Sequence, residues 1–178
     1  MGCVGEAGLP GKALAAVAWG WRPMRGADLP AVSAIAAAVH PAHPESDAVF
    51  AERLRLAPSG CLMLEIGGLP AGYVLAHPWH RKRPPALNTL LGTLPRSAEV
   101  LYLHDIALLP AARGTGAGGE AIRQLAATAG RLPMALVALG GTQGFWRRQG
   151  FGVVPEPALE AVLRRYDPEA HYMEKPPG

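Results

Sequence analysis

His104 and Asp105 stand inside the apolar run Leu101–Leu109. After Pro110 the chain continues Arg113-Gly114-Thr115-Gly116-Ala117-Gly118-Gly119. A histidine ordinarily titrates near neutral pH and can take or give a proton there. A glycine-dense turn lets bare backbone N–H groups crowd round an anion, and a helix behind it adds its positive end to the same point. The glycines therefore predict a phosphate-bearing ligand. His104 is the candidate base.

The elements that must hold these groups are legible in the same stretch. An apolar run, a glycine turn and the spacing Ala121-Ile122-Leu125-Ala126-Ala129 predict a strand, a tight bend and a helix. Gly114-x-Gly116-x-x-Gly119 also fits a dinucleotide fingerprint. That motif wants the strand to run straight into its first glycine and an acid about 20 residues on, at the end of the next strand. Here Pro110-Ala111-Ala112-Arg113 intervenes, and the next strand, Met134-Ala135-Leu136-Val137-Ala138-Leu139, holds no acid. The dinucleotide reading is set aside.

The wider pass predicts a strand at 19–23, a helix at 28–39 capped by Asp28, and a helix at 46–56 capped by Ser46. A hairpin follows, from 61–66 and 71–77 around Gly67-Gly68-Leu69-Pro70, then a loop over 78–98. Beyond the signature strand, bend and helix come a strand at 134–139, a short helix at 142–149, and strands at 152–154 and 170–175. In a strand successive side chains alternate. Tyr102, His104, Ile106 and Leu108 are therefore expected on one face, and Leu103, Asp105 and Ala107 on the other.

Arg113-x-x-Gly116-x-Gly118 opening a helix resembles the acetyl-CoA signature of the Gcn5-related N-acetyltransferases. Gly144-Phe145-Trp146-Arg147-Arg148-Gln149-Gly150-Phe151 is similar to that family's second motif, at the expected distance. The resemblance covers residues 20–175 in outline and 101–154 with specific residues. It implies an α/β acyltransferase fold: a mixed, mostly antiparallel central sheet flanked by helices, in the order β-α-α-β-β-β-α-β-α-β-β. It also implies transfer of an acetyl group from acetyl-CoA to a primary amine by direct attack, with no metal. The pantetheine arm would pair with backbone at Ile106, Ala107 and Leu108, and an N–H near Leu108 would hold the oxyanion. The pyrophosphate would meet the amides of Arg113, Gly114, Thr115, Gly116, Ala117 and Gly118, with the Arg113 guanidinium as an added contact.

Acetylating an amine also requires removing a proton. An alkylammonium with a pKa near 10 is neutral about one part in a thousand at pH 7, a cost of roughly 4 kcal/mol. His104-Asp105-Ile106-Ala107-Leu108 is similar to the His-x-Leu-Ala-Val stretch of arylalkylamine N-acetyltransferases. The resemblance thus gives His104 the role of base, directly or through water, with Tyr102 where that group has a second histidine. Asp105 is expected to order backbone or a cation, with proton abstraction as its second role. Many members place a tyrosine acid where Trp146 stands, and an indole cannot serve as an acid at pH 7. A thiolate of pKa about 8.5 can leave unassisted, or another donor is used. Leu139 takes the place of a frequent asparagine. A non-catalytic acyl-CoA-binding or sensing module is therefore the competing reading.

His40-Pro41-Ala42-His43 and His77-Pro78-Trp79-His80 are both His-x-x-His, but their prolines exclude a helix and no acid or thiol ligand accompanies them. In the resembling family these stretches flank the acceptor channel, so His40, His43, His77 and Trp79 are expected to line it. The acceptor is a small-molecule or peptide amine. The chain has 178 residues and a net charge of +3, enough for one domain at 19–178 after a weakly ordered extension at 1–18. Scattered cations argue against nucleic acid, and the short apolar stretch Ala13–Trp19 argues against a membrane span. Two cysteines, Cys3 and Cys61, make no disulfide framework and fit a reducing cytoplasm. A homodimer is left open.

Overall fold

The computed structural model describes residues 18–178. The expected extension lies outside the described residues except for Ala18. Seven strands form one sheet: β1 Trp19–Pro23, β2 Cys61–Ile66, β3 Leu69–Trp79, β4 Val100–Leu108, β5 Met134–Ala138, β6 Gly152–Val153 and β7 His171–Lys175. The helices are α1 Leu29–Val39, α2 Asp47–Leu56, α3 Ala117–Ala129, α4 Gln143–Arg148 and α5 Glu160–Leu163. The spatial order is β1-β2-β3-β4-β5-β7-β6, with β4 and β5 parallel and every other pair antiparallel. The expected order of elements is present, with α5 added between prolines.

Ends shift by a few residues. Asp28 closes a short 3-10 turn, Gly26–Asp28, ahead of α1. Its carboxylate does not cap α1 but accepts the Arg25 N–H at 2.7 Å and both terminal nitrogens of Arg22 at 2.7 and 2.8 Å. Ser46 stands at the N-cap of α2 without a side-chain cap. The strand expected at 71–77 runs from Leu69 to Trp79, because its partner β4 continues past the end of β2 and keeps Pro78 and Trp79 paired.

α3 and α4 cover one face of the sheet, where Ile122, Leu125 and Trp146 pack with Leu101, Leu103 and Leu136. α1 and α2 cover the other face beside β2 to β4, through Val32, Ile35 and Phe50 against Met63, Tyr73 and Ala107. Farther along that face Leu159 packs on Tyr102, Ala135 and Tyr172. Gly60 lies so close to β3 that a Cβ there would stand 2.0 Å from the Ala76 carbonyl oxygen.

The expected alternation along β4 breaks at one place. Leu75 pairs with Asp105, yet Ala76 pairs with Leu103, so His104 is left without a partner. Such a bulge re-aims side chains on either side of it. Tyr102 therefore shares the α1 and α2 face with Asp105 and Ala107, while Leu103, Ile106 and Leu108 pack toward α3. The predicted grouping of Tyr102 and His104 with Ile106 and Leu108 is corrected accordingly. No sequence signal marks the extra residue.

Candidate active site

β4 and β5 pair only at Leu101–Met134 and Tyr102–Ala135, then part. A cavity of about 470 Å³ occupies the parting, with Leu103, Ile106, Leu108, Leu136, Leu139, Phe145 and Trp146 as its apolar wall. The Leu109 N–H donates to Ala71 on the β3 side. By strand alternation the N–H groups of Leu108 and Ile106 face the opposite way, toward the gap. Ala107 points its side chain into the α1 and α2 core and, by the same alternation, turns its backbone groups to its β3 partner Tyr73, so the expected Ala107 contact to a pantetheine arm is corrected to Ile106 and Leu108 alone.

One end of the cavity opens beside the glycine bend. Residues 113–116 are exposed, and Gly116, with φ +89°, supplies the left-handed turn that starts α3 and that a Cβ would strain. The N–H groups of Gly114, Thr115 and Gly116 find no protein acceptor among the described residues. The Thr115 hydroxyl braces the bend, donating to Ala112 O at 2.8 Å and accepting the Ala117 N–H at 3.3 Å. Gly118 is tight for another reason: a Cβ would come 3.0 Å from the Phe145 ring. Arg113 donates from Nε to the Leu108 carbonyl at 3.1 Å and borders the cavity. Free amides, a left-handed glycine and a helix start are suited to an anion such as a diphosphate.

The other end is polar and titratable. His104 donates Nε2–H to Glu45 Oε2 at 2.8 Å, which leaves Nδ1 to accept. Their side chains are 5% and 7% exposed, so the pair is shielded from water yet reaches the cavity wall. Burial pushes the Glu45 carboxyl upward. The His104 bond and charge with the Asn88 N–H outweigh this and hold it below the usual range.

A second pair stands beside the first. His40 Nε2 lies 3.0 Å from Asp105 Oδ1 and 3.3 Å from the Ile106 carbonyl. The Asp105 bond raises the His40 imidazole above its ordinary value against the opposing effect of burial. Burial pushes Asp105 up, but the His40 bond and charge and the Tyr73 hydroxyl, which donates to it, bring the carboxyl below its ordinary value. Tyr73 stays protonated, since burial and Asp105 both push it upward.

His43 binds the Tyr166 carbonyl at 2.8 Å and lines the cavity with it. Tyr102 also lines the wall, and burial raises its phenol well above the usual range. His77 and Trp79 are not among the cavity residues. His77 is fully buried behind the bulge, its ring centroid 6.1 Å from that of His104, and burial pushes it down to about 3, so it stays neutral. Trp79 turns to the Arg83 carbonyl at 2.7 Å. At its C-terminal end β3 runs two residues past the expected His77 and so carries Trp79 into the sheet, while His77, expected at the strand's end and lining the channel, turns into the core.

Glu45 and Tyr166 escaped the sequence reading. Each lies in a proline-flanked stretch without periodicity, and only the fold brings them 59 and 62 positions along the chain to His104 (104 − 45; 166 − 104). Among the described residues no group of three or more His, Cys, Asp or Glu is placed to hold a metal ion, and no helix is long and apolar enough to cross a membrane.

Comparison with known proteins shows the family and the fold. Residues 25–151 match the model of the Acetyltransferase (GNAT) family. No curated protein matches the chain in sequence. Among solved structures, the chain is similar to Arabidopsis thaliana Naa50 in complex with a bisubstrate analogue, CoA-Ac-MVNAL, at 13% identity. The match covers 89% of this chain and 99% of that one, with a TM-score of 0.63. The loading GNATL domain of CurA from Lyngbya majuscula matches at 12% identity over 89% and 98%, TM-score 0.72. The GphF GNAT-like decarboxylase in complex with isobutyryl-CoA matches at 22% over 89% and 99%, TM-score 0.65. With the family model spanning most of the sequence and the solved structures sharing its fold, the chain belongs to the GNAT acetyltransferase family.

Proposed function

We propose that the chain transfers an acetyl group from acetyl-CoA to a primary amine, with His104 as the base. The observation that carries this reading is the His104–Glu45 bond at the wall of the cavity. A carboxylate on one ring nitrogen fixes the tautomer and orients the imidazole. The free Nδ1 is then the acceptor for the amine's proton.

In this reading the amine nitrogen attacks the thioester carbonyl carbon while its proton passes to His104 Nδ1, directly or through one water. Negative charge gathers on the carbonyl oxygen, for which the outward N–H groups of Leu108 and Ile106 are suitable donors. The C–S bond then breaks and its electron pair leaves on sulfur. Trp146 can offer that sulfur an N–H but no proton, so the thiolate leaves as such or takes its proton from solvent. The glycine bend and Arg113 hold the diphosphate. Asp105 holds His40 in place and favours its charged form, and Tyr102 offers a neutral hydroxyl to the wall.

The test follows free thiol released from acetyl-CoA across a panel of amines. Turnover with one acceptor class is expected, and His104→Ala should lower it about 10²- to 10⁴-fold while CoA still binds. Thiol release that survives the substitution would remove His104 from the chemistry. Binding of CoA with no turnover on any amine would favour the sensing module.

Trp146 favours one other reading. Loss of carbon dioxide from a 2-carboxyacyl-CoA leaves the C–S bond intact and needs no acid for a departing thiolate, and one similar fold is that of a GNAT-like decarboxylase. Malonyl-CoA converted to acetyl-CoA without thiol release would select it.

A further inference from the structure

Both oxygens of Glu45 are engaged. Oε2 takes the His104 N–H, and Oε1 accepts the backbone N–H of Asn88 at 3.0 Å. The Asn88 side chain returns the contact, its Oδ1 accepting the Ser46 N–H at 2.8 Å. Asn88 thus grips a carboxylate and the next peptide group at once. It does so from a left-handed backbone, φ +53°, a conformation that asparagine tolerates and β-branched residues resist.

The loop that presents Asn88 is tied down from beneath. Arg53 of α2 is fully buried, donates to Glu52 at 2.8 Å and to the Thr89 carbonyl at 2.9 Å. Glu52 accepts the N–H groups of Leu91 and Gly92 at 2.6 and 2.9 Å. Burying an ion pair contributes little net stability against well-packed apolar side chains. Its visible effect here is to fix residues 89–92, and with them the approach of Asn88 to Glu45.

We propose that Asn88, on a loop pinned by the buried Glu52–Arg53 pair, is a positioning residue that sets Glu45 and through it the orientation of the His104 imidazole. This rests on the reading of His104 as the base, but it concerns a contact that exists whether or not an amine is acetylated.

The experiment is proton NMR of the full chain, following the hydrogen-bonded ring N–H of His104, assigned by its loss in His104→Ala and sensitive to Glu45→Gln. Asn88→Val and Asn88→Ala penalise the left-handed backbone and should withdraw the N–H from Glu45. The ring signal should then be lost to exchange, with kcat falling about tenfold at unchanged KM for acetyl-CoA. Asn88→Gly keeps both the conformation and the backbone N–H and should restore signal and kcat. A folded Val or Ala variant with the wild-type ring signal would overturn the proposal, as would equal loss in the Gly variant. If no amine is acetylated by the wild type, the ring signal still decides the clamp, so the two readings fail separately.

Discussion

His40 and Asp105 give the residue scale its clearest pH signature. The folded chain holds His40 above its ordinary value of 6.5, so its contribution to stability is full below pH 6.5 and is lost as pH climbs through the raised value. It holds Asp105 below 3.8, so that contribution is full above 3.8 and lost as pH falls through the lowered value. The pair therefore helps most between those ordinary values. His40→Gln keeps a donor but cannot titrate. The Tm gap between wild type and this variant should be widest near pH 6 and narrow toward pH 9, as read by thermal unfolding across pH; a gap independent of pH would refute the charged pair. The sequence singled out His40, His43, His104 and Asp105, because a histidine or acid in an apolar run or proline turn is visible by type. It could not reveal that Glu45 completes the His104 pair, since nothing local distinguishes Glu45 from any solvated acid before a helix.

At the scale of elements, strands and helices were legible wherever apolar spacing or turn chemistry was strong: the Gly67-Gly68 hairpin, α3 behind its glycines, and β5. The bulge was not, because a single unpaired residue leaves the composition of β4 unchanged and appears only against its partner strand. His77 was read in its strand but its buried direction was not visible, and Trp79 was misplaced for a related reason. Pro78 suggested the start of a loop, whereas β2 has already ended there and leaves the strand a free edge on that side. Gly60 shows how tightly these elements meet. Gly60→Ala would drive a methyl group into the Ala76 carbonyl and should cost about 3 kcal/mol, lowering Tm by about 6–12 °C. A Tm within 2 °C of wild type would mean that β3 yields there.

For the whole molecule, the proposed function makes one receptor of the bend at Gly116 and the parting of β4 from β5. A ligand that binds only the folded chain raises its stability by about 2.7 kcal/mol at a hundred times its Kd, so CoA should lift Tm by about 5–10 °C. Gly116→Val places a branched side chain at φ +89° and should abolish that rise; an undiminished shift would take the diphosphate away from the bend. The parted strands carry a mechanical consequence as well. Between Leu103 and Leu108 the outer edge of β4 has no strand neighbour among the described residues, so the sheet is hinged on two rungs of its ladder. An extended guest laid there would act as the missing rail. Cohesion between the halves of the sheet would then rise when such a guest binds and fall when it leaves.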